Sequence, residues 1–144
     1  MPSHQGPHAA QFDSSAERFA RRVFFWAGIY GVLVLPPHFF LESQIGRVFP
    51  PAITHPENFY GFISVALVWQ IAFLAIARQP VRFLPLMPLA VMEKCLPSAF
   101  VLALIMMERA PMHLGLFAAL DILIGGAFLI SFLRLSKAFL EEVP

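Results

Sequence analysis

Glu93 and Lys94 stand side by side between two charge-free runs, Phe83 to Met92 and Cys95 to Met107. On insertion scales each charge costs roughly 2.5–3.5 kcal/mol at the centre of a bilayer. A pair kept there points to a ligand contact, a proton-handling group or an interhelical fastening. Adjacent residues leave a helix about 100° apart, so these two need not pair with each other. Pro97 marks the same spot: lacking an N–H, it cannot bond the carbonyl four residues earlier, which is that of Glu93. A carboxyl side chain and a freed backbone acceptor therefore coincide, as membrane proteins tolerate where a cavity or a neighbouring helix receives them.

Other helices bring polar groups to similar depths. Counted from the helix ends nearest the termini, Tyr30, Gln70 and Glu93 lie about 12–14 Å in at 1.5 Å per residue. Asp121 and Ser64 fall at about 20–21 Å by the same rise. This predicts a polar column, with Glu93, Gln70, Tyr30, Asp121 and Lys94 as candidate ligand-binding residues. The competing expectation is an interhelical network that only locks packing. Asp121 stands four residues before Gly125, so it shares a face with a small residue and points toward a partner helix.

A second, weaker constellation comprises His38, Glu42, His55 and Glu57, two histidines and two carboxylates suited to a transition metal. Their spacing matches no metal motif, and helix-end and interfacial roles are the preferred reading. Cys95 reads as a small buried filler. Met87, Met92, Met106, Met107 and Met112, with sixteen phenylalanines, suggest an adaptable apolar lining. No P-loop, dinucleotide fingerprint, CxxC, GxSxG, HExxH or CxxCH occurs, so no cofactor is encoded by a recognisable motif.

These residues need elements that cross a membrane. The chain has 144 residues, one domain by length, and is 58 % hydrophobic against roughly 45–50 % in soluble domains. Its mean hydropathy is +0.71. Charge-free runs extend over Val23 to Leu41, Phe59 to Ala77, and Leu114 to Leu133 apart from Asp121. So much apolar surface needs the bilayer as solvent. The predicted fold is all-α: an integral membrane four-helix bundle with helices at about 22–41, 58–78, 84–107 and 112–135. Pro36 and Pro37 should kink or break the first, and the last passes into an amphipathic end, "RLSKAFLEEVP". Residues 1–15 read as a mobile tail before the 16–144 bundle; His4 and His8 there are solvated residues, and Ser14 or Ser15 can cap the helix that follows. No cleavage site follows the first apolar run, so it reads as a permanent anchor.

Topology follows from cations. Arg18, Arg21, Arg22, Arg78, Arg82, Arg134 and Lys137 fall on one side, against Arg47 and Arg109 on the other. Both termini are therefore expected on the cytoplasmic side of a bacterial inner membrane. A net charge of +1 gives no reason to expect nucleic acid. The expected partners are the lipid bilayer, a small hydrophobic ligand, and a homo-oligomer or membrane complex.

The segments "ENFYGFISVALVWQ", "PLAVMEK" and "LDILIGGAFLISF" resemble the DoxX-like small four-helix bacterial membrane proteins, a group similar in architecture to the EXPERA proteins. The resemblance covers helices two to four, with Lys94 and Pro97 as departures from its pattern. It implies a four-helix bundle with an intramembrane acid on helix three, matched by Glu93, and a polar residue on helix four, matched by Asp121. Roles in that group include quinone-linked oxidation and sterol or lipid handling, and a shared fold does not choose among them. The favoured expectation is a non-enzymatic membrane protein that binds a lipid or quinone. A quinone-linked oxidoreductase subunit and a purely structural scaffold are the alternatives.

Overall fold

Prolines and one left-handed residue set the helix ends. In the computed structural model, which describes residues 15–49 and 52–142 and side chains up to residue 140, helix α1 runs over Ser15–Val34. Its α-helical hydrogen bonds stop where Pro36 and Pro37 begin, and the chain tightens into a 3₁₀ turn over Pro36–Phe40. A short helix α2, Glu42–Val48, occupies part of the connection between the first two predicted membrane helices. Helix α3 spans Pro56–Arg78, with Pro56 in its first turn, where the missing N–H costs nothing. A second 3₁₀ turn, Leu84–Leu86, leads into α4, Met87–Met106. Helix α5 then runs over Leu114–Glu142, continuing without a break into the segment expected as its amphipathic end. The expected tail up to Ser14, with His4 and His8, lies outside the described residues.

The C-terminus of α4 closes in a Schellman arrangement. Arg109 N–H donates to the Leu104 carbonyl at 2.8 Å and Glu108 N–H to that of Ile105 at 3.0 Å. Glu108 takes the left-handed position usually given to glycine, with φ 57°.

Four helical stretches, Ser15–Phe40, Pro56–Arg78, Leu84–Met106 and Leu114–Leu140, are long and apolar enough to cross a membrane. Helix α1 packs against α3 and α5, and α5 packs against α4, whereas α3 and α4 barely touch. The bundle is thus an up-down-up-down ring opened at one seam. No strand occurs among the described residues.

Three rings fix the centre. Phe24 of α1 stacks on Phe128 of α5 at 4.0 Å, and Phe73 of α3 meets both edge-on at 6.1 and 4.8 Å. All three are fully buried. The surrounding core, including Ala20, Ile76, Met87 and Leu135, gathers in the half of the bundle that holds the ends of α1 and α5. Arg21 ties that half together: it donates to the Arg78 carbonyl at the end of α3 (3.0 Å) and pairs with Glu17 (2.8 Å). Arg134 lies over the Phe19 ring at 4.8 Å.

Glycines set the closest helix approaches. A Cβ on Gly28 would lie 3.0 Å from the Gln70 backbone oxygen and 2.8 Å from the Leu74 side chain. One on Gly31 would overlap the Gln70 side chain, and one on Gly125 would lie 2.6 Å from Cys95 Sγ. Gly126 faces open space, so of these two adjacent glycines Gly125 is the one that serves packing. Large apolar side chains such as Phe62, Val65, Val68, Ile71 and Leu123 point outward, a surface suited to lipid.

Candidate functional site

The interior charges meet on Lys94. Its Nζ lies 3.4 Å from Asp121 Oδ1 and 3.5 Å from Glu93 Oε2, and 5.5 Å from the centre of the Phe73 ring. Helix α4 supplies Glu93 and Lys94, α5 supplies Asp121, and α3 supplies the ring. The lysine is buried, so two carboxyl groups and an aromatic face replace the water it has lost.

This geometry decides a pairing that the sequence left open. Glu93 and Lys94 do pair, although they leave the helix in different directions, because the flexible four-carbon lysine stem bends between both acids. Asp121, placed deeper than Glu93 by the backbone count, joins it through that same reach. Lys94 is therefore the hub of the group, with Asp121 behind it.

Gln70 and Tyr30 do not join a column with Glu93. Gln70 is buried against Gly31 of α1, and its amide donates to the Ala66 carbonyl of its own helix at 3.0 Å. Tyr30 lies in a separate groove of about 330 Å³ between α1 and α5, beside Val23, Trp26 and Leu123. A shared depth did not imply a shared face. Ser98, not singled out from sequence, is buried and returns its hydroxyl to the Lys94 carbonyl at 2.8 Å.

The seam between α3 and α4 forms a groove of about 400 Å³. Phe62, Val65, Ala66 and Trp69 line it from α3, and Leu89, Met92, Leu96 and Pro97 from α4. Glu93 is the one charged residue in this lining. Its Oε2 is buried without a hydrogen bond, since the contact to Lys94 is an ion pair that misses hydrogen-bonding geometry. Groove and charge cluster thus adjoin at Glu93.

The four residues weighed for a metal are used separately. His38 Nδ1 lies 2.8 Å from the Val34 carbonyl, and Glu42 accepts a 2.7 Å hydrogen bond from Tyr60. His55 and Glu57 form an exposed pair at 3.2 Å. Among the described residues no three His, Cys, Asp or Glu side chains gather as a metal site would need. The Tyr60–Glu42 bond, with Phe39 stacked on Tyr60 at 6.1 Å, instead fastens the α1–α3 connection onto α3. Cys95 is half-buried with its sulfur against Gly125.

Comparison with known proteins returned no matching family, no matching curated protein and no matching solved structure.

Proposed function

We propose that this chain is a multi-pass membrane protein that binds a small hydrophobic molecule, lipid-like or quinone-like, in the groove between α3 and α4. One observation carries the reading: an apolar, aromatic-lined groove of about 400 Å³ has a single charged residue, Glu93, in its lining. Ligand pockets commonly combine mostly apolar walls with a few polar groups that orient the ligand. Glu93 is the polar contact. Lys94 and Asp121 hold it from behind, and Trp69 and Phe62 supply ring surface. Tyr30 and Gln70 have no part in this site.

The orientation proposed with it places both termini in the cytoplasm of a bacterial cell, because the cationic end of the bundle is the end that carries them. The similarity to DoxX-like proteins agrees with this architecture and is part of the proposal.

A structural reading also has a specific observation in its favour. The Lys94–Asp121 pair joins α4 to α5 and would fasten them with no ligand present. Native mass spectrometry of the purified protein separates the two. A Glu93→Gln variant that remains folded is expected to lose a co-purifying lipophile that the unaltered protein retains. Equal retention by both proteins would contradict the binding role of Glu93.

A further inference from the structure

The groove between α1 and α5 ends among arginines. Val23, Trp26 and Tyr30 of α1 and Leu123 and Ala127 of α5 line its volume of about 330 Å³, and Val23 to Tyr30 is about 10 Å along the helix. Phe19 stands one turn before Val23, and there the Arg134 guanidinium of α5 lies over its ring at 4.8 Å. Arg22 stands one turn before Trp26 on the same face of α1. Arg22 and Arg134 border the apolar runs Val23 to Leu41 and, apart from Asp121, Leu114 to Leu133, which sets both at headgroup depth in a bilayer. Both are exposed, and neither has a hydrogen bond or ion pair among the described residues. Glu17 is taken by Arg21 at 2.8 Å. Glu141 and Glu142 follow Arg134 along α5 by about 10–12 Å, away from the groove. A guanidinium stacked on a ring keeps its N–H edge for a phosphate, which it meets with two parallel hydrogen bonds.

We propose that the α1–α5 groove seats an acyl chain of an anionic phospholipid, whose phosphate Arg134 and Arg22 hold at the groove's end. Charge complementarity selects this occupant. A zwitterionic lipid would bring its own ammonium against the same arginines, and a free phosphate would leave the apolar groove unfilled. The inference rests on the bundle crossing a membrane and is independent of what fills the α3–α4 groove.

Trp26 and Trp69 are the two tryptophans of the chain, and Trp26 lines this groove. The full chain carrying Trp69→Phe, in phosphatidylcholine bilayers, therefore reports on the groove by fluorescence quenching. The probes are phosphatidylglycerol and phosphatidylcholine, each brominated on the same acyl chain. Brominated phosphatidylglycerol is expected to associate at least threefold more tightly, and Arg22→Gln with Arg134→Gln to bring the two lipids level. Arg47→Gln with Arg109→Gln, at the opposite end, should leave the preference intact. Ala127→Phe fills the groove, keeps both arginines and should also abolish the preference; if it misfolds, the exposed arginine variants still decide. Equal association of the two lipids with the unaltered arginines would overturn the inference. So would a preference that survives the Arg22 and Arg134 changes or Ala127→Phe, or one that falls equally with Arg47 and Arg109. Loss of the preference on adding soluble glycerol phosphate would assign the arginines to free phosphate and overturn it too. None of these outcomes bears on Glu93 and the α3–α4 groove.

Discussion

Substituting Lys94 with methionine would keep most of its apolar stem while removing the charge that two acids share. Breaking a buried ion pair by deleting one partner costs about 3–5 kcal/mol, because the remaining charge is left uncompensated. Lys94→Met should therefore lower the thermal unfolding midpoint in detergent well below that of the unaltered protein. Adding Asp121→Asn should restore part of the loss, since it removes one of the stranded carboxylates. If the two losses simply add, the Lys94–Asp121 contact is not an energetic pair. This hub was only half visible in the sequence. Glu93, Lys94 and Asp121 stood out as charges in apolar runs, but their convergence depends on the lysine side chain, which backbone periodicity does not describe. Tyr30 and Gln70 show the converse: their depth was countable, while the face each one turns was decided by Gly31, Ala66 and the α1–α5 crossing.

Between helices, glycine positions decide how closely the elements approach. Gly28 lies against the Gln70 backbone, and backbone cannot rotate out of the way. Gly28→Ala should thus separate α1 from α3 and destabilise the protein by about 1–3 kcal/mol, as overpacking does. Gly126→Ala, with open space before it, should be neutral or mildly stabilising because alanine favours helix. Unfolding midpoints of the two variants measured side by side check this; equal effects would mean that the α1–α3 crossing is looser than the glycine geometry implies. The sequence made the four long helices legible, because uninterrupted apolar runs of this length leave few alternatives. Their ends were less so. The conversion after Pro36 followed from proline chemistry, whereas α2 and the continuation of α5 to Glu142 carried no comparable punctuation.

For the whole molecule, asymmetry is the informative property. The buried core and most of the cations lie toward the same end, and the seam between α3 and α4 stays open. If that end is cytoplasmic, reporter fusions at the C-terminus and in the 79–83 connection should both score as internal, and one in the α1–α3 connection as external. A C-terminal fusion scored as external would reverse the proposed orientation. The groove itself could not be read from the sequence, since it results from which helix pairs fail to close, a property of the assembled ring. The central claim is that this seam holds a small molecule anchored at Glu93. Its most direct test is to place the photoreactive residue p-benzoylphenylalanine at position 62 in the groove wall, irradiate membranes and weigh the purified protein. The expected result is a discrete small-molecule adduct that disappears when Glu93→Gln is introduced. Crosslinks to protein alone, or an adduct that persists unchanged in Glu93→Gln, would contradict it.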